Sequence, residues 1–224
     1  MRHRPAAEPG GSRPRLLPTA AVAAALAAVV WYGHATGGAG HPAGRAAAAA
    51  AGPLGSPTVQ ERAAEGPIVP TRLVIPAIGV DAPVEARGTT RYQNPFTGQQ
   101  VDGYGVPESM HTTAWWSDGP QPGSGQMAVV LGHEDAGGGS AVFDDLTGLH
   151  AGDEIRLGAA DGATLLLRVL GSPVTGLAKD TSALADTLNG HPPAAAVALV
   201  TCGGEFDERA GASADNTVVF ASLG

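Results

Sequence analysis

The chain has 224 residues, 43% of them hydrophobic, with 33 Gly, 18 Pro, one cysteine and a formal net charge of −8. That length fits one compact domain with appendages. A lone thiol excludes an internal disulfide framework, and an acid excess argues against nucleic acid, whose phosphates require clustered Lys and Arg. The charge is unevenly spread. Arg2, Arg4, Arg13 and Arg15 face only Glu8 at the N-terminus, whereas from Pro67 onward seven basic residues oppose eighteen acidic ones.

After the basic tail (1–15) comes LLPTAAVAAALAAVVWYG (16–33), which carries no charge. Eighteen residues of helix span about 27 Å, enough for a hydrocarbon core. Trp31 and Tyr32 stand at its far end, where amphipathic rings favour the interface, and the preceding arginines orient the N-terminus inward. The segment reads as an uncleaved signal-anchor; a cleaved signal peptide is the alternative, and in both readings the body is exported. Residues 34–66, rich in Ala, Gly and Pro, have too few large apolar side chains to offset their ordering entropy and read as a linker.

The body is expected from 67 to 224. Short apolar runs follow one another: TRLVIP (71–76), VDAPVEA (80–86), QMAVVLGH (126–133), DEIRLGA (153–159), TLLLRVLG (164–171), AAAVALVTC (194–202) and NTVVFASL (216–223). Helical pattern is confined to VFDDLTGL (142–149) and TSALADTLNG (181–190). Strands without long helices predict an all-β barrel or sandwich.

The thiol, Cys202, terminates the run AAAVALVTC and is followed by two glycines. It is a buried filler, an intermolecular link or a nucleophile. His133 ends the run MAVVL-Gly in the same way, whereas His3, His34 and His41 lie in the tail or linker and His111, His150 and His191 lie in loops or turns. Two such residues, each at the end of an apolar strand, are what a thiol–imidazole pair on neighbouring strands requires.

Four pieces, LVIPAIGVDAPV, GPQPGSGQMAVVLGH, SAVFDDLTGLHAGDEI and LVTCGGEFD, resemble the sortase family in that family's order and cover nearly everything from Pro67 to the end. TCGGxFD followed by DN is similar to the actinobacterial class F type, with class E as the second choice. The resemblance implies a closed eight-stranded sortase-type β-barrel. It further implies that Cys202 attacks the Thr–Gly carbonyl of an LPxTG-like sorting signal on an exported protein. His133 would act as the acid–base partner, and a cell-wall amine would resolve the acyl thioester, with neither metal nor cofactor. Most sortases carry an arginine at the start of the last strand. Here that place falls on Asn216, and the nearest arginine is Arg209, in EFDERAGAS. Asn216 is expected to be the oxyanion donor because a strand holds it rigidly; the alternatives are Arg209, or an Asn216 that only caps a turn.

Other features receive structural readings. Trp115 and Trp116 are expected in the core. Glu134, Asp135, Asp144 and Asp145 lack the alternating spacing of a calcium loop, and GGG (137–139) precedes no helix that would make it a phosphate cradle. Competing functions are a non-catalytic sortase-like barrel that binds an extracytoplasmic peptide, an L,D-transpeptidase, whose S-x-G-C-x-R signature is absent, and a structural thiol forming an intermolecular disulfide.

Overall fold

The computed structural model describes residues 61–135 and 140–224. The expected tail, signal-anchor and most of the linker, with the glycine run 137–139, lie outside the described residues. Among the described residues there are twelve strands: β1 (Arg62–Ala63), β2 (Pro70–Ile75), β3 (Val80–Arg87), β4 (Thr89–Gln93), β5 (Gln100–Tyr104), β6 (Thr113–Trp116), β7 (Ala128–Gly132), β8 (Glu154–Ala159), β9 (Ala163–Val169), β10 (Val174–Ala178), β11 (Val197–Asp207) and β12 (Ala212–Leu223). The α-helix α1 (Ala183–Asn189) lies between β10 and β11.

Eight strands close a ring in the order β9-β8-β2-β3-β6-β7-β11-β12, because β12 pairs back onto β9 through Ala221–Val169 and Leu223–Leu167. This is the closed eight-stranded barrel. Closure removes the sheet edges that an open sheet would leave unpaired. β1 and β10 add to the outside of the ring, and β4–β5 forms a separate two-stranded hairpin. β1 pairs with Ala163–Thr164, so a strand pairing with the barrel already lies within the segment read as linker.

Strand alternation sorts the apolar residues into two layers. Leu73, Ile75, Val84, Trp115, Val130, Ile155, Leu167, Leu199 and Val219 fill the barrel. Val129, Leu131, Ala198, Val200, Val218 and Phe220, from the outer faces of β7, β11 and β12, pack with Leu177 of β10 and with Leu184 and Leu188 of α1. Helix α1 can cover this face because Leu184 and Leu188, four apart, lie on one side of it. The first helical stretch expected, 142–149, is instead a chain of turns ending in a 3₁₀ turn at Leu146–Gly148. Phe143, Leu146 and Leu149 are all buried, and their three-residue spacing suits that tighter turn.

Candidate functional site

Pairing places the site residues side by side. In the parallel pair β7–β11, Val200 stands opposite Leu131, and Thr201 Oγ donates to Gly132 O at 2.9 Å. One step further, Cys202 draws level with His133, the residue after β7. In the antiparallel pair β11–β12, Cys202 is opposite Asn216, and in β10–β12 Asn216 is opposite Leu177. Cys202 and Asn216 share the parity of Val200 and Val218, so they lie on the outer face of the barrel.

Local sequence explains the strand end. β11 and β12 slip register between Gly203 and Phe206, forming a bulge just past the thiol. Gly204 has φ +77, and a Cβ there would meet the Asp215 carboxylate at 2.5 Å, so only glycine suits this bulge. On β7, a Cβ at Gly132 would overlap the Phe143 ring, which packs directly over the strand.

The expected start of the last strand at Asn216 needs correction: β12 begins at Ala212, and the polar stretch after Cys202 is the far end of a long β11–β12 hairpin. Arg209 sits exposed in its turn, where its N–H donates to Asp207 Oδ1 at 2.8 Å. The turn lies beyond the Asp207–Ala212 pair, roughly 17 Å along the strand from Cys202 at about 3.4 Å per residue.

His133 is half-buried, and its Nε2 lies 3.0 Å from Pro107 O. A carbonyl only accepts, so Nε2 carries the proton and Nδ1 is the nitrogen left for proton transfer. Among the described residues no hydrogen bond joins His133 to Cys202. The thiol's partner is instead Lys179, whose Nζ is 3.2 Å from Sγ. Lys179 was missed in the sequence. The signal available was its singularity: it is the only lysine in the chain, just after a short strand that carries no strong alternation.

The hairpin β4–β5 packs beside this group. Asn94 Nδ2 donates to Lys179 O at 2.9 Å, while its Oδ1 accepts from the N–H groups of Phe96 and Thr97 and so shapes the hairpin turn. Burial first, then the Cys202 charge, push the Tyr92 phenol far above its usual range, so it remains a neutral O–H. Among the described residues, the buried side-chain polar atoms without a partner are the Tyr92 hydroxyl and Asn216 Oδ1. Both belong to neighbours of Cys202. Buried polar groups are normally paired, so these two stand out beside the thiol.

The acidic loop serves the backbone. Asp144 accepts from Asp135 N–H at 2.8 Å and from Ala141 N–H at 2.7 Å, tying down both ends of the loop that leaves His133. Burial and the nearby Asp144 raise the Glu134 carboxyl above its ordinary value, partly offset by the Lys179 charge. Among the described residues no three His, Cys, Asp or Glu side chains are grouped to hold a metal ion. Trp115 is buried in the barrel with its Nε1 donating to Pro120 O, and Trp116 packs edge-on against Tyr104 at 5.0 Å between centroids. His111 and His150 are exposed, and His191 stays near its own strand connection, with Nδ1 on Pro192 O.

The sortase-domain family model matches residues 73–224, which include the barrel ring from Leu73 of β2 onward and every site residue described above. The chain belongs to the sortase family. Its members are cysteine transpeptidases, and Cys202 is the only cysteine available for that chemistry here. Among solved structures, the fold is similar to sortase A from Corynebacterium diphtheriae (a lid mutant), at 20% identity and TM-score 0.47, covering 72% of each chain. It is also similar to sortase C-1 from Actinomyces oris, at 21% identity and TM-score 0.48, covering 70% of this sortase and 76% of that chain. No curated protein sequence matches the chain. Among the described residues no helix is long and apolar enough to cross a membrane.

Proposed function

We propose that this sortase is a membrane-anchored transpeptidase of the class F type. It cleaves an LPxTG-like sorting signal between Thr and Gly, releases the glycine fragment, and transfers the protein through its new Thr carbonyl to a cell-wall amine. Residues 16–33 remain as the anchor, and the barrel works outside the membrane. The observation that carries this reading is the register that aligns Cys202 with His133 on one side and Asn216 on the other.

Chemically, the Cys202 thiolate adds to the Thr carbonyl carbon, and the carbonyl π electrons move to oxygen. Asn216 donates to that oxyanion from a fixed strand position. As the tetrahedral species collapses, the C–N bond breaks, and His133 gives the leaving glycine amine the Nδ1 proton it took from the Cys202 thiol, keeping its Nε2 proton on Pro107 O. A thioester remains. The acceptor amine then attacks it, His133 takes up the amine proton, and the thiolate departs. The donor in this role is the Asn216 Nδ2–H; its Oδ1, without a partner among the described residues, is an acceptor suited to a substrate N–H and not to the oxyanion.

The test incubates the full-length protein with an LPxTG-type peptide and a glycine-based amine. An acyl adduct on Cys202, seen by mass, and a new amide product are expected. Cleavage that persists in Cys202→Ala overturns the assignment. A second reading, a peptide-binding barrel without turnover, is favoured only by the neutral Asn216 in place of arginine; tight peptide binding without adduct or product would select it.

A further inference from the structure

Lysine is among the side chains least often buried without a paired charge. Lys179 is 3% exposed. Among the described residues no carboxylate forms an ion pair with it, and its one side-chain hydrogen bond goes to Cys202 Sγ at 3.2 Å. Its backbone is held at both groups: its N–H donates to Ala214 O at 2.9 Å, and its carbonyl accepts from Asn94 Nδ2. β12 and the hairpin thus fix the residue from two sides. Lys179 follows Leu177 by two, just past the end of β10, whose Leu177 is opposite Asn216. The ammonium therefore reaches the outer face where Cys202 stands. The Glu134 carboxyl feels the Lys179 charge without forming an ion pair with it; the group in direct contact is the thiol, which as an anion compensates the ammonium.

We propose that Lys179 is the cationic catalytic group of this sortase, holding Cys202 as thiolate and facing the oxygen that becomes negative when sulfur adds to the scissile carbonyl. This rests on the transpeptidase reading above and adds to it the positive charge that Asn216 cannot supply. During attack the sulfur lone pair forms the S–C bond and the carbonyl pair moves to oxygen, so negative charge passes from sulfur to an atom one bond beyond it. The ammonium keeps its protons throughout and remains beside that charge. Asn216 and Lys179 then divide the work, one as neutral donor and the other as cation. A buried charge placed for reaction rather than for folding also predicts a stability gain on its removal.

The experiment reads the thiol without any sorting signal. The full-length parent, Lys179→Met, Lys179→Gln and Lys179→Arg are alkylated with iodoacetamide at neutral pH, and modification of Cys202 is followed by mass. In parallel the same proteins are assayed for LPxTG-peptide cleavage and for melting temperature. Lys179→Met is expected to react about tenfold or more slowly with iodoacetamide, the scale of a charge-assisted hydrogen bond to the thiolate. It should lose cleavage through kcat and melt no lower than the parent, and Lys179→Arg should recover most of the alkylation rate lost in Lys179→Met. Lys179→Gln provides the same reading if the Met variant fails to fold. Parental alkylation in both Met and Gln variants overturns the proposal, and so does an acyl group found on Lys179 instead of Cys202. If no LPxTG peptide is cleaved but alkylation still depends on Lys179, the sorting-signal reading fails while the thiolate–ammonium pair stands.

Discussion

Asn216→Leu should make the barrel more stable and the enzyme slower. Asn216 is 1% exposed, its Oδ1 has no partner, and it is flanked by Leu177 across β10–β12 and by Val218 two residues along. A buried polar atom left unpaired costs about 1–3 kcal/mol. Leucine has the same branching and removes that cost, while its extra bulk returns some of the gain through packing strain. A net gain of about 1–2 kcal/mol corresponds to a rise in melting temperature of roughly 2–8 °C for a domain of this size. Catalysis should move the other way. Loss of one preorganised oxyanion donor lowers kcat by about 10²–10³-fold with little change in KM. The assay pairs a thermal melt with steady-state cleavage at saturating peptide. Thr201→Val is the control: its hydroxyl is buried but bonded to Gly132 O, so its loss should lower stability by about 1 kcal/mol. The reasoning is refuted if Asn216→Leu melts several degrees lower or cleaves at the parental rate.

His133→Ala should reduce transpeptidation by about 10²–10⁴-fold, while His111→Ala, His150→Ala and His191→Ala stay close to the parent; near-parental turnover of the His133 variant would move the acid–base role elsewhere. Arg209→Ala, altering the tip of the hairpin, should remain within a few-fold of the parent in peptide cleavage. Gly204→Ala should destabilise the chain by about 1–2 kcal/mol, because alanine at φ +77 is strained and its Cβ presses on Asp215, and a denaturant midpoint measures the loss. Glu134 has its carboxyl raised in the folded state, chiefly by burial, so the native chain binds the extra proton and stability falls as pH rises from below the ordinary carboxylate value through the raised one. Glu134→Gln should flatten that part of the stability–pH curve, and an unchanged curve would remove Glu134 as its source. N-terminal sequencing of the membrane fraction should find residues 16–33 still attached; a mature start beyond them would replace the anchor with a cleaved signal peptide.

Seven of the eight ring strands were legible as apolar runs, because a barrel strand buries its inner residues and, on β7, β11 and β12, its outer ones as well. The eighth, β6, is only TAWW and read as aromatics ahead of a turn, since four residues give too little pattern for a period. The hairpin strands TTRYQ and QVDGY escaped for a different reason: they cover the site rather than the barrel core, so neither shows apolar alternation. Cys202, His133 and Asn216 could be singled out because each sits at the edge of an apolar run, and a strand end is a local feature. Lys179 could not. Its contact with Cys202 spans twenty-three positions and depends on β10 reaching β12 from outside the ring, on a bulge after the thiol, and on a hairpin pinning its carbonyl. Residue type and strand end are written along the chain; which charge meets the thiol is set by register between strands, and only the closed barrel fixes that.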